Sequence, residues 1–210
     1  MDLVAISPHL DDAVLGCAGL MAAHPGATVV TVTAGRPGPH PLTDWDRTCG
    51  FADGDDVVGA RRAEDKVALA LLHADPVWLD FLDRQYADGK APDPVQVAAA
   101  LRPIAGRAAL IASPLGLMHP DHIAVATACA LLRPAGWVVY EDAIYRAHEG
   151  AAGAALAAMR QTGVDLEPVD VPDAPAKREA IAAYTSQVKG LAHLLDDAYR
   201  PERYWRVKVR

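Results

Sequence analysis

The sequence predicts an α/β fold in three layers, a Rossmann-like arrangement with a mostly parallel sheet flanked by helices. Three observations predict it. Short β-branched or apolar runs alternate along the chain with segments of helical length. Two of those runs end in motifs rich in His and Asp, "HLDD" and "HPDH". Open α/β sheets collect ligands at the carboxyl ends of their strands, which is where both motifs fall. The length of 210 residues suffices for one domain with a full hydrophobic core, spanning residues 1–210, and neither a solenoid repeat nor a linker-like tract interrupts it.

The elements follow in order. "LVAIS" and "TVVTVT" read as strands, with the helical segment "DAVLGCAGLMAAH" between them ending near Pro25-Gly26. Residues 34–56 are a long polar, Gly/Pro-rich stretch, and loops of that length in a small domain are usually functional. "VVGARRAEDKVALALLHA" is an amphipathic helix, "VWLDFL" a strand, and "DPVQVAAALRPIAG" a helix with a proline near its end. "AALIAS" is a strand, and "PDHIAVATACALLR" is a helix with Pro120 in its first turn. "WVVYE" is a further strand, and "AAGAALAAMRQTG" and "APAKREAIAAYTSQVKGL" are later helices. The basic tail "RPERYWRVKVR" alternates Tyr204, Arg206, Lys208 and Arg210 with Trp205, Val207 and Val209, the pattern of a half-exposed edge strand.

Composition narrows the function. Hydrophobic residues make up 51% and charged residues 22%, ordinary for a globular protein, and charges interrupt every long apolar segment. A net charge of −7 argues against nucleic acid as a partner. The start of the chain reads as a strand, not a signal peptide, and three widely spaced cysteines make no disulfide framework, so a cytoplasmic setting is expected. Cys17 and Cys129 lie in apolar helical segments and are expected to be buried.

A histidine and a carboxylate three residues apart, just before a helix, are able to converge on one metal ion, and imidazole with carboxylate suits zinc and other divalent first-row metals. Each motif alone has a structural alternative. Asp11 and Asp12 would serve as helix caps, and Pro120-Asp121 is a common helix opening. Both motifs at strand-to-helix junctions favour a metal site. His24 and His73 read as helix-end or turn residues, and His148 and His193 as surface residues. His40, Trp45 and Asp46 in the long loop are weaker candidates for a substrate pocket.

"SPHLDDAVLGCAG" together with "HPDH" resembles the LmbE-like, or PIG-L, family of zinc-dependent N-acetylglucosaminyl deacetylases. "ARRAEDKVALALL", "FLDRQY", "YEDAIY" and "KREAIAAYTSQ" are similar to further segments of that family, so the likeness covers most of the chain. The resemblance implies that His9, Asp12 and His122 hold one zinc per chain. It implies Asp11 as general base, a protonated His119 stabilising the oxyanion, and Asp121 orienting a site histidine. Arg61 and Asp83 would contact substrate, although Arg61 with Arg62 also has helix-surface partners in Glu64 and Asp65, and Asp83 has Arg84.

Leu10 and Ala13 replace the proline and glutamate of the family pattern. The expected activity is hydrolysis of an N-acyl group, acetyl by preference, from a small amino sugar or glycoside-like metabolite. Rival readings are hydrolysis of another small amide or ester, and a non-catalytic metal- or sugar-binding module. Neither nucleic acid nor membrane is an expected partner, and association into a homo-oligomer is left open.

Overall fold

The computed structural model describes residues 2–209. At the middle of its parallel strands lies β1 (Leu3–Ser7), buried at every position. A strand covered on both faces by helices has no polar face to show, which is why it reads as a continuous apolar run. β2 (Thr28–Thr31) and β3 (Asp75–Trp78) extend the sheet to one side, and β4 (Leu110–Pro114) and β5 (Trp137–Tyr140) to the other, all parallel. Beyond β5 the direction changes: β7 (Tyr204–Val209) lies antiparallel between β5 and β6 (Val164–Val169). The order is β3-β2-β1-β4-β5-β7-β6.

The helices are α1 (Asp12–Ala22), α2 (Asp44–Thr48), α3 (Val57–Leu71), α4 (Pro94–Ala105), α5 (Pro120–Leu132), α6 (Ala151–Gln161), α7 (Lys177–Ala183) and α8 (Thr185–Leu191). Alternate strand residues feed two cores. Leu3, Ala5, Val29 and Tyr140 pack with α1, α3 and α7, while Val4, Ile6, Val30 and Val139 pack with α4, α5 and α6. The chain leaves β1 toward β2 on one side, and β4 continues the sheet on the other, so a crevice opens between the carboxyl ends of β1 and β4.

The three-layer expectation is confirmed, with local corrections. The long loop carries α2, closed by a reciprocal cap in which Thr43 Oγ1 accepts from Asp46 N–H at 3.1 Å and Asp46 Oδ2 accepts from Thr43 N–H at 3.2 Å. The strand expected at "VWLDFL" starts earlier and ends at Trp78. β6 was not expected at all. The tail is a strand but not an edge, because β6 covers its outer side. The helix expected over residues 174–191 breaks at Tyr184, whose ψ of 64° leaves the helical region and whose hydroxyl donates to Asp65 at 2.7 Å. Cys17 and Cys129 are buried as expected, and no helix of the described residues is long and apolar enough to cross a membrane.

α1 bends at Cys17 (φ −140°, ψ 17°). The bend frees the next backbone donors, and the Glu202 carboxylate takes them: Ala18 N–H at 2.9 Å and Gly19 N–H at 2.8 Å. The same carboxylate accepts from Lys177 Nζ at 2.7 Å and from the Tyr204 hydroxyl. One side chain before β7 thus fastens α1 and α7 to the antiparallel side of the sheet. Glu202→Ala leaves a buried ammonium and two helix donors without a partner, and is expected to lower unfolding free energy by about 3–5 kcal/mol in denaturant titration. A loss below about 1 kcal/mol, the worth of an exposed pair, would show that the network is not structural.

Candidate active site

The turn after β1 is built by side chains around it. Ser7 Oγ donates to His9 O at 2.6 Å and accepts from Ala13 N–H at 3.0 Å, and Thr33 Oγ1 donates to Pro8 O at 2.7 Å. Ala13, where the family pattern has glutamate, is a core residue at this turn, and Leu10 is buried beside it. His9 N–H donates to Asp12 Oδ2 at 2.8 Å. Asp11 sits at the start of α1, yet its side chain makes no capping hydrogen bond. The capping alternative therefore fails for Asp11, whose carboxylate lines the cavity instead. After β4, His119 takes the N-cap of α5, with Nδ1 accepting from Asp121 N–H at 3.3 Å.

The two motifs meet across the crevice. Asp12 Oδ2 lies 3.1 Å from His9 Nδ1 and 3.1 Å from His122 Nε2. The opposite ring nitrogens have their own carboxylates. His9 Nε2 is 3.1 Å from Asp121 Oδ2, and His122 Nδ1 is 2.5 Å from Asp142 Oδ1. Asp142 is held in turn by Gly116 N–H at 2.9 Å and Leu117 N–H at 3.3 Å on its other oxygen. His122 Nε2 is buried and makes no well-aligned hydrogen bond, so a ring fixed by Asp142 presents its second nitrogen to the Asp12 carboxylate. Ligating histidines characteristically pair their second nitrogen with a carboxylate, and this donor set fits a divalent first-row ion.

Among the described residues, two groups of side chains each bring one donor atom per residue within 4.8 Å of one another: His9, His119 and His122, and His9, Asp83 and Asp121. Asp12 is in neither. Its Oδ2 nevertheless lies 3.1 Å from both His9 Nδ1 and His122 Nε2, whereas His119 Nδ1 accepts from the Asp121 N–H at the helix end.

The electrostatics follow from burial and neighbours. For His9, burial opposes the charged ring, but Asp12 and Asp121 outweigh it and raise its pKa well above the usual range. His122 is likewise penalised by burial and raised by Asp12 and Asp142 to about 9. Asp12 is held well below the carboxylate range, burial being overcome by His122 and His9. Asp11 has no such direct partner. Burial and the adjacent Asp12 push it up to about 7 against the opposing charges of His9, Arg61 and His122. Burial and the charges on His9 and His122 push His119 down to about 4. With Nδ1 accepting, its proton is on Nε2.

The cavity over this cluster measures about 470 Å³ and includes Arg61, Asp83, Trp45 and Tyr145. Arg61 does not pair along its own helix. Its Nη2 lies 3.4 Å from Asp46 Oδ1, which also accepts from Tyr86 OH at 2.8 Å, and its buried Nε has no protein partner. Asp83 pairs with Gln85, not Arg84, through N–H at 3.0 Å and Nε2 at 2.9 Å. Asp46 is thus a support for Arg61, not a wall of the cavity. Exposed His40 packs on Tyr86 and borders a separate groove with residues 36–42. Asp142 and Tyr145 were missed as individual site residues. "YEDAIY" drew attention only as a segment, because their roles arise from β5 ending beside α5.

Comparison with known proteins agrees with this geometry. The family described as PIG-L: GlcNAc-PI de-N-acetylase matches residues 4–132, more than half of the chain. No curated protein sequence matches. Among solved structures, a triple mutant of a deacetylase of the teicoplanin biosynthetic pathway is 29% identical, with a TM-score of 0.80 over 99% of this chain and 98% of its own. The A40926 pseudoaglycone deacetylase is 26% identical, with a TM-score of 0.76 over 99% and 97%. N,N'-diacetylchitobiose deacetylase from Pyrococcus horikoshii, at 18% identity and a TM-score of 0.65 over 99% and 83%, shares the fold. With the family pattern spanning both histidine motifs, this chain belongs to the PIG-L, GlcNAc-PI de-N-acetylase family.

Proposed function

We propose that this protein is a metal-dependent N-deacetylase acting on an N-acylated amino sugar or glycoside-like metabolite. The observation that carries the reading is the division of labour at the crevice. Two histidines, each backed by a carboxylate, flank Asp12, while a neighbouring carboxylate, Asp11, stays free with a pKa raised to about 7. The solved relatives are described as deacetylases, which supports the same chemistry. In this reading His9, Asp12 and His122 hold one ion per chain. The bound ion supplies Lewis acidity toward the acyl carbonyl and the attacking water. Zinc suits the donors, but one teicoplanin deacetylase structure is described as a zinc-inhibited form, so zinc and cobalt are both to be compared.

The chain's own groups do the rest. Asp11 takes the proton from the attacking water. Neutral His119 donates its Nε2–H to the oxygen that gains negative charge. A neutral imidazole at a helix N-terminus suits this task, because the helix dipole disfavours its protonation and adds positive potential at the same place. Asp11 passes its proton to the departing amine and is restored. Asp121 fixes the His9 ring, and Arg61 and Asp83 meet polar groups of the substrate. The three cysteines are free and buried, in keeping with the cytoplasmic setting read from the sequence.

Acetate release from a panel of N-acyl amino sugars, against other amides and small esters, tests the activity; turnover of esters alone would overturn it. For the ligands, His9→Ala and His122→Ala are expected to lose most of the metal measured by elemental analysis, and His119→Ala to keep it. A metal-free His119→Ala with loaded His122→Ala would exchange their roles.

Asp11→Asn is expected to retain metal and fold while losing roughly 10²–10⁴-fold in single-turnover rate. Full rate in that variant would remove Asp11 as base. The pH profile adds a sign. The base acts ionised, so kcat/KM should rise with pH through a limb at or below about 7, since a bound cation draws the Asp11 pKa down from its value in the metal-free site. Activity that falls with rising pH over that range would contradict the assignment.

A further inference from the structure

Six non-glycine positions among the described residues have positive φ: His73, Asp88, Met118, Arg133, Ile144 and Ala192. Four of them adjoin the wall of the cavity: Asp88 precedes Gly89, Met118 precedes His119, Ile144 precedes Tyr145, and Ala192 follows Leu191. Ile144 is the most costly. It is β-branched, and φ 65° with ψ −45° lies outside the regions such residues occupy. A conformation of this kind persists only where the surroundings over-determine it, and it concentrates at functional sites.

The surroundings here do over-determine it. On one side Asp142 is fixed to His122. At the other, Asp197 Oδ2 accepts from Ile144 N–H at 3.0 Å and from Arg146 Nε at 2.8 Å. The remaining Arg146 nitrogens donate to Pro201 O and Asp197 O, both at 2.9 Å. Pinned at both ends, the segment turns Tyr145 into the cavity. Its ring centre lies 4.8 Å from that of His122 and 6.0 Å from that of His119. Tyr145 is half-buried, and its hydroxyl has no hydrogen-bond partner among the described residues. A phenol is a donor at neutral pH, and half-buried phenols ordinarily find an acceptor.

We propose that Tyr145 is a substrate-binding residue, its hydroxyl donating to a carbonyl or hydroxyl oxygen of the N-acylated substrate and its ring walling the site beside His119 and His122. The strained turn at Ile144 aims it. The proposal rests on the deacetylase reading, and it adds a contact that neither histidine motif supplies.

The test is steady-state kinetics of wild type, Tyr145→Phe and Tyr145→Ala on the N-acyl panel, with metal content and Tm measured in parallel. Tyr145→Phe removes only the hydroxyl. It is expected to lower kcat/KM by roughly tenfold, the worth of one hydrogen bond, raising KM more than it lowers kcat and leaving metal content and Tm unchanged. Tyr145→Ala is expected to lose more, since the wall goes with the donor; if it fails to fold, the phenylalanine variant decides. Wild-type kinetics in Tyr145→Phe on every substrate that the parent hydrolyses would overturn this proposal alone, as would loss of metal in that variant, which would make Tyr145 a support for His122. A parent inactive on every N-acyl substrate would overturn the deacetylase reading and this proposal with it.

Discussion

Buried negative charge at the head of β1 and β4 is the constraint on which the rest of the structure turns. Asp11, Asp12, Asp121 and Asp142 are all withdrawn from water within one crevice. Taking a carboxylate out of water costs several kcal/mol even after the protein relaxes, so such a group needs a partner or gives up its charge. Both solutions occur here. Asp12, Asp121 and Asp142 are each matched to an imidazole nitrogen, and Asp11, left without one, rises toward neutrality. The chemistry proposed above needs that unequal treatment of like groups: carboxylates paired with imidazoles to hold or orient, and one carboxylate ready to exchange a proton.

The fold supports the arrangement with fixed backbone. Asp12 and Asp121 lie in the first turns of α1 and α5, where helix dipoles favour negative charge. The strand order puts those two helix ends on either side of the crevice. Residues far along the chain then close the assembly. Glu202 binds the bend in α1, and Asp197 binds the turn that carries Tyr145. The antiparallel end of the sheet, remote from the histidine motifs in sequence, therefore acts on their geometry through hydrogen bonds.

What was legible in the sequence was local. "HLDD" and "HPDH" announce themselves because each packs donor and carboxylate within one turn, at a strand-to-helix junction. The central parallel strands were legible for a similar reason, since continuous apolar runs have few other uses. What depended on tertiary contact was not. "VDLEPV" carries Pro168 and two acidic residues, a pattern tolerated only on an edge strand, and nothing local shows that β7 lies beside it. The tail looked like an edge because its basic alternation suits an exposed face, but strand order is not written in alternation. The break at Tyr184 answers to Asp65 across the structure. Asp142 is one acidic residue among many until α5 brings His122 to it, and the lowered pKa of His119 follows from burial and from charges on two other histidines.

In the proposed metal centre, two carboxylate-backed imidazoles and Asp12 hold the ion, leaving His119 and Asp11 free to act on substrate. Anomalous diffraction at the metal absorption edge, from crystals of the metal-loaded protein, decides this assignment. One peak per chain is expected within bonding distance of His9 Nδ1, Asp12 and His122 Nε2, with His119 outside that distance. A peak ligated by His119 in place of Asp12, or seated between His9, Asp83 and Asp121, would contradict it.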